Sequence, residues 1–113
     1  MGYRKTVNCG PDGYVYFLRA GNTVKIGFST NLRSRLEKLR NGNSFPVFIC
    51  KYVHGDRKTE AAFHKRFVEY RLRGEWFDLR GTLAKYLERH IRPIDLPEPI
   101  QQPERPERRV IIL

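Results

Sequence analysis

The sequence is poor in cysteine and contains no long apolar segment. Cys9 and Cys50 are its only cysteines, and they lack the paired spacing that structural zinc sites require. We therefore expect two free thiols in a reducing compartment. No apolar run approaches the roughly 20 residues needed to cross a bilayer, and no apolar signal-peptide segment follows Met1. These absences argue against a membrane protein and predict a cytoplasmic location.

Acidic residues are also scarce relative to basic ones. Lysine and arginine together number 22 against 12 acidic residues, which gives a formal net charge of +10. Such an excess indicates a polyanionic partner, and nucleic acid is favoured over an anionic membrane surface. With 113 residues, the chain has room for one domain with one modest core.

Composition divides the chain into three segments. Residues 1–12 form a polar leader that ends in turn-forming residues, and residues 13–92 carry the apolar patterns of a folded domain. Residues 93–113 contain five of the seven prolines, so we predict an extended and mobile tail. The apolar end of this tail, residues 110–113, could add a strand to the sheet of a partner protein, although a frayed end is the more common case.

The apolar periodicity of residues 13–92 predicts an α/β (α+β) fold. β-Branched and aromatic runs predict three strands, at residues 14–18, 23–28 and 45–53. Leucines at helical spacing from Leu32 predict a first helix that ends at Gly42. Aromatic residues at the same spacing predict a second helix up to Gly74, and a third helix follows a short extended piece. We therefore expect a small three-stranded antiparallel or mixed sheet flanked by about three helices.

Five short motifs stand in the order and spacing of a known superfamily. They are Gly13-Tyr14-Val15-Tyr16, Lys25-Ile26-Gly27, Arg35-Leu36, Glu60 with His64, and Gly74-Glu75-Trp76-Phe77. Over residues 13–80 the chain resembles the GIY-YIG nuclease superfamily, and more narrowly its phage-associated branch. The resemblance implies a metal-dependent DNA endonuclease or nickase that uses Mg²⁺ or Mn²⁺, in the cytoplasm of a bacterium or a phage-infected cell.

Tyr16 is the residue for which the resemblance implies the role of general base. Its phenolate oxygen would take a proton from the attacking water, and nearby cations would have to lower its pKa from about 10. Tyr14 is the alternative base, because strand residues two apart share one face of the sheet. Lys25 departs from the superfamily pattern, which has tyrosine there; restriction-enzyme members resemble this chain in using lysine, which can position the water or keep the base deprotonated. Gly27 is expected to permit close approach of strand and helix.

Arg35 and Glu60 complete the implied chemistry. A guanidinium can hold two oxygens of the scissile phosphate, and Arg35 precedes Leu36 at the margin of the apolar helix face. Glu60 would be the ligand of one Mg²⁺ or Mn²⁺ ion. The alternative is an exposed acid that pairs with His64 or with a lysine. His64 shares the helix face of Glu60, where it would orient the carboxylate, assist a leaving group or simply pack.

The other cations of the first two helices are predicted to bind DNA phosphates. They are Arg33, Lys38, Arg40, Lys58 and Lys65. A domain this small has little surface for reading bases, so we expect target choice to come from a protein partner, a homodimer or weak context preferences. Two other functions stay open: a nucleic-acid-binding module that has lost catalysis through Lys25, and an adaptor in a phage or defence assembly that docks through the tail.

Overall fold

The computed structural model describes residues 13–100, and its central feature is an antiparallel sheet. In this part of the chain the sheet has five strands in the order β3-β1-β2-β5-β4. Their bounds are β1 Gly13–Ala20, β2 Thr23–Ser29, β3 Val47–Gly55, β4 Arg71–Arg73 and β5 Trp76–Asp78. The α+β class is as predicted, whereas the expectation of three strands is wrong because it missed the short β4–β5 hairpin.

Three α-helices are present among the described residues, in agreement with the predicted number. They are α1 Leu32–Asn41, α2 Arg57–Arg66 and α3 Gly81–Leu87. Side-chain caps fix where the first two begin: Asn31 caps α1 through its amide oxygen, and Asp56 forms a reciprocal capping box with Thr59 at the start of α2. These caps set the positions of Arg35 and Glu60, which each lie four residues after the cap.

The second helix is shorter than the apolar spacing predicts. α2 ends at Arg66, and a 3-10 turn, Val68–Tyr70, leads directly into β4. Phe67 and Tyr70 stay buried through this turn, which explains why their spacing imitates a longer helix. The chain then reverses at Gly74, whose φ of +56° favours glycine, and β5 pairs with both β4 and β2.

Both faces of the sheet are covered, because side chains of the interior strand β1 are buried alternately on each side. One core contains Val15 and Phe17 and packs against α2 and α3. The other core contains Tyr14, Tyr16 and Leu18 and packs against α1. Tyr14 and Tyr16 therefore share the α1 face, as the period of the strand predicts.

The described part of the proline-rich segment lies against the α1 face of the domain. Residues 93–100 have no regular helix or strand, but Ile94, Leu96 and Ile100 pack on the core beneath α1. The amide of Ile94 donates to the Ile49 carbonyl at 3.3 Å, and that of Ile100 donates to the Thr30 carbonyl at 2.8 Å. The predicted tail thus begins with a packed segment, while residues 101–113, including the apolar end at 110–113, lie outside the described residues.

Two further expectations concern cysteine and the membrane. Cys50 is a buried free cysteine, whereas Cys9 and the whole predicted leader, residues 1–12, lie outside the described part of the chain. Between residues 13 and 100, no helix combines the length and the apolar character that a bilayer crossing requires.

Gly27 provides a test of this packing, because the Tyr16 ring occupies the space where a side chain would be. Residue 27 pairs with residue 16 across β1 and β2, and a methyl group on Gly27 would overlap the Tyr16 hydroxyl and ring. We expect Gly27→Ala to lower the free energy of unfolding by about 1–3 kcal/mol, measured by urea denaturation, because the buried ring must move.

Gly42→Ala is the matched control for this substitution. The nearest atom to a methyl group at Gly42 is 3.7 Å away, and φ there is −96°, which alanine adopts without strain. Its stability should therefore change by no more than about 0.5 kcal/mol. A Gly27→Ala variant as stable as the native chain would show that the Tyr16 ring does not lie over Gly27.

Candidate active site

The candidate site lies where one edge of β2 is left without a neighbouring strand. β2 pairs with β5 only over Thr23–Lys25, and one more backbone hydrogen bond, from Ile26 N to Glu75 O at 2.9 Å, ends the ladder. Beyond Ile26, residues 27–29 have no strand on this side within the described chain. We call this stretch the open edge of β2. His64 of α2 lies where the open edge begins, with its Nε2 2.8 Å from the carbonyl oxygen of the preceding residue, Ile26.

Three potential metal ligands meet beside the open edge. Glu60, His64 and Glu75 each offer one ligand atom, and these atoms lie within 4.8 Å of one another. We call these three residues the acid cluster. Glu60 is only 7% exposed, and its buried Oε2 has no hydrogen-bond partner within residues 13–100. A buried carboxylate oxygen with no partner is costly, so this atom marks a place where a cation would fit.

The two carboxyl groups of the acid cluster have pKa values displaced in opposite directions. Burial, and then the neighbouring Glu75 carboxyl, raise the pKa of Glu60 above its usual value. The pKa of Glu75 is lowered in spite of burial, because Lys25 Nζ lies 3.0 Å from its Oε1. Two neighbouring acids whose pKa values are displaced in opposite directions are typical of functional sites, since one stays ionised while the other readily exchanges a proton.

The hydrogen bond made by His64 limits what its imidazole can do. A backbone carbonyl only accepts, so Nε2 must carry the proton that it donates to Ile26 O. The same nitrogen is 3.9 Å from Glu60 Oε2, which is too far for a hydrogen bond. Nε2 therefore has no free lone pair for a metal while this bond is made, and the arrangement suits His64 to holding α2 against the sheet edge.

Tyr16 lies inside the site, where its acidity depends on charges from several elements. Burial raises the pKa of its hydroxyl to about 12; the Arg35 guanidinium opposes this rise, and the carboxylates of Glu75 and Glu60 add to it. The phenol of β1, the arginine of α1 and the acids beside β2 and β5 therefore act on one another electrostatically. The Tyr16 ring also lies over Gly27 of the open edge, so geometry places the phenol in the same candidate site.

Comparison with known proteins identifies the family to which this fold and site belong. The model of the T5orf172 domain matches residues 13–94. The chain belongs to the T5orf172 domain family. This family is associated with nuclease-type domains of phages. None of the curated proteins, and none of the solved structures, matches the chain.

The other predicted catalytic residues of this T5orf172 domain differ in how close they lie to the acid cluster. Lys25 forms the ion pair with Glu75, and its Nζ is 5.7 Å from the centre of the Trp76 ring. Arg35 is exposed at the margin of α1, close enough to influence Tyr16. Tyr14 packs instead against other aromatic rings, with centroid distances of 5.3 Å to Tyr52 and 4.9 Å to His54.

The five cations predicted to bind DNA do not form one surface. Arg33, Lys38 and Arg40 are exposed on α1, on one face of the sheet. Lys58 and Lys65 are exposed on α2, on the other face. The guanidinium of Arg33 donates to Leu96 O at 2.8 Å and so holds the proline-rich segment.

Glu75 is the site residue that the sequence analysis did not assign. Glu75 belongs to the recognised motif at residues 74–77. In that motif Trp76 and Phe77 have apolar side chains, which predict a place in the core, whereas the side chain of Glu75 does not. The register of β5 against β2 places Glu75 beside Lys25 and Glu60. An acid within a recognised motif is the signal that could have identified it.

Glu60→Gln tests whether the acid cluster is electrostatically strained without a cation. The substitution removes a buried negative charge beside Glu75, so we expect the melting temperature in EDTA near neutral pH to rise by about 2–5 °C. Because the pKa of Glu60 is raised by folding, ionised Glu60 destabilises the fold, and this cost grows as the pH increases from the unfolded value through the folded value. The difference between variant and native protein should therefore shrink as the pH falls towards about 4.

Glu69→Gln is the control for this measurement, because Glu69 is an exposed acid of the 3-10 turn. Its melting temperature should follow that of the native chain at every pH. Added Mn²⁺ should stabilise the native chain and Glu69→Gln but not Glu60→Gln. Equal stabilisation of all three proteins by Mn²⁺ would contradict a metal site at Glu60.

Proposed function

We propose that this T5orf172 domain is a metal-dependent DNA endonuclease or nickase of the GIY-YIG type, which hydrolyses phosphodiester bonds with Tyr16 as general base. The observation that supports the proposal most is the convergence of a phenol, a lysine and two carboxylates at the open edge of β2. A guanidinium borders the same site. These are the groups that phosphodiester hydrolysis needs, namely a proton acceptor, positive charge for the phosphate and ligands for a hard cation.

Glu60 and Glu75 are the proposed ligands of a Mg²⁺ or Mn²⁺ ion. The partnerless buried oxygen of Glu60 supports this assignment, and carboxylate oxygens are the ligands that these ions prefer. A cation bound there would supply positive charge to the phosphate and increase the acidity of the attacking water. It would also oppose the influence by which the two carboxylates raise the pKa of Tyr16.

The remaining steps fall to side chains of the domain itself. The phenolate form of Tyr16 accepts a proton from the attacking water as the new bond to phosphorus forms. The bond to the leaving oxygen breaks, and this oxygen takes a proton from solvent water. Arg35 binds non-bridging oxygens of the phosphate and favours the phenolate form of Tyr16. Lys25 keeps Glu75 ionised through their 3.0 Å contact, and His64 holds α2 at the sheet edge. Lys25 and His64 are therefore positioning residues in this proposal.

Cleavage of supercoiled plasmid tests the proposed activity. In Mg²⁺ or Mn²⁺ we expect the native chain to convert the plasmid to the nicked form on an agarose gel. Tyr16→Phe and Glu60→Gln should slow this conversion by about 100-fold or more, and Arg35→Ala should slow it comparably, because each removes a group required for the transition state.

Arg40→Ala is the matched control for Arg35→Ala, because Arg40 is also exposed on α1 but lies near the end of that helix. It should weaken DNA binding at elevated salt while leaving the maximal rate nearly unchanged. A purified, folded native chain that binds DNA but cuts it in no divalent metal would remove the nuclease proposal. The pKa of about 12 at Tyr16 would then favour the alternative, a DNA-binding module with a degenerate site.

The pH dependence of cleavage tests Tyr16 as the base. Because burial raises the Tyr16 pKa to about 12, only a small fraction of the phenol is ionised near neutral pH, and this fraction grows tenfold with each pH unit. We therefore expect the rate at saturating metal to rise about tenfold per unit from about pH 6 until the site saturates. The residual rate of Tyr16→Phe should not follow this slope. A native rate that is flat over the same range would exclude Tyr16 from this role.

A further inference from the structure

A groove lies at the opposite end of β2 from the open edge, on the α1 face of the sheet. Its volume is about 530 Å³, within the range of about 300–1,000 Å³ that is usual for small-ligand pockets. It is formed by the β1–β2 turn, the segment between α1 and β3, and the β4–β5 hairpin. The lining residues are those at positions 20–23, Asn43 and Phe45, and Leu72, Arg73 and Trp76.

The apolar walls of the groove are unusually exposed. Phe45 is 68% exposed and Leu72 is 54% exposed, and Val68 is the other large apolar residue exposed to this degree in the described chain. Large apolar side chains clustered around a groove are typical of a binding surface. Phe45 and Trp76 are flat aromatic groups that can stack on a planar ligand.

Two cations lie near these aromatic walls. Arg73 lines the groove itself, and Lys25, which is ion-paired with Glu75, has its Nζ 5.7 Å from the centre of the Trp76 ring. Asn22 and Asn43 also line the groove, and the Asn43 amide nitrogen donates to Leu39 O at 2.6 Å. Aromatic stacking groups next to cations match the chemistry of single-stranded nucleic acid, in which exposed bases alternate with phosphates.

Trp76 connects the groove to the candidate active site. It pairs with Lys25 across β5 and β2, and Lys25 contacts Glu75 of the acid cluster. Thr23 at the groove and Gly27 at the open edge are four residues apart on one strand, which corresponds to about 13 Å. A ligand in the groove can therefore belong to the same nucleic acid strand as a phosphate at the acid cluster.

We propose that this groove binds an unstacked base of single-stranded DNA close to the scissile phosphate, with the base against Phe45 and Trp76 and a neighbouring phosphate against Arg73. The identification of the strand as DNA rests on the proposed nuclease function. The inference narrows the substrate class to DNA with unpaired nucleotides, such as ends, gaps or flaps. Intact duplex fits less well, because its bases are already stacked on one another and cannot enter the groove.

Trp76 is the sole tryptophan of the chain, so its fluorescence reports on the groove directly. We would titrate full-length Glu60→Gln in EDTA, which prevents cutting, with a single-stranded oligothymidylate, an abasic oligonucleotide of the same length and a blunt duplex. Oligothymidylate should quench Trp76 and bind about tenfold more tightly than the abasic strand. The duplex should quench Trp76 less than oligothymidylate does.

Phe45→Ala, introduced into the same variant, should lower the affinity for oligothymidylate about tenfold, to the level of the abasic strand. Val68→Ala is the control, because Val68 is 57% exposed but does not line the groove, and it should leave the affinity unchanged. Because Phe45 is 68% exposed, its removal should not unfold the domain. The two substitutions are thus matched in exposure and differ in position.

Equal binding of oligothymidylate and the abasic strand would overturn the proposal, and so would an unchanged affinity in Phe45→Ala. Either result is expected if the groove binds a protein instead of a base. Plasmid nicking by the native chain would then still support the nuclease function. Conversely, base-dependent quenching in a chain that cuts DNA in no metal would support the groove and remove only the nuclease. The two proposals can therefore fail separately.

Discussion

The early end of the β2–β5 ladder is the constraint on which the rest of the site depends. β2 continues to Ser29, but its last hydrogen bond to the β5 side is made by Ile26 N. An open strand edge leaves backbone groups that need partners, and His64 supplies one by donating to Ile26 O. To do so, α2 must reach the sheet edge, and one turn before His64 it brings Glu60 to the same place. The position of Glu60 in the site therefore follows from the hydrogen bond by which His64 of α2 partners the edge of β2.

The two carboxylates of the site are opposite in sign to the net charge of the molecule. The chain carries a net charge of +10, yet two carboxylates lie together, and of these two it is Glu75 that forms an ion pair with Lys25. Glu60 Oε2 is buried and has no hydrogen-bond partner among residues 13–100, while the other oxygen, Oε1, lies 3.7 Å from Arg57 Nη1. Under the proposed function, the cationic surface would attract the nucleic acid strand and the two acids would hold a metal ion. Without a cation beside them, two neighbouring carboxylates cost stability when both are ionised.

The sequence predicts the long elements of this fold better than the short ones. β1, β2, β3 and α1 have clear periods, and alternation in β1 correctly places Tyr14 and Tyr16 on one face. The β4–β5 hairpin was missed because Phe67 and Tyr70 continue the apparent period of α2 from a 3-10 turn. Glu75 lies within a recognised motif, but its place beside Lys25 depends on the β2–β5 register, which is a tertiary property. At Gly27 the sequence predicts close approach of strand and helix, whereas in the structure the ring of Tyr16 packs against this glycine.

The exposed cations of α1 and α2 lie on opposite faces of the sheet, and the candidate site lies at its edge. Arg40 on α1 and Lys65 on α2 lie over opposite faces of the sheet, so a flat surface of DNA pressed on either face would meet only one set. Under the proposed function, a strand bound at the open edge of β2 would lie at the boundary between the two faces that carry these cations. It could continue past Lys25 to the groove, because Lys25 Nζ is 5.7 Å from the centre of the Trp76 ring that lines the groove. Phosphate attraction from two faces and base stacking on one face can then act on a single strand, which a face-on approach would not allow.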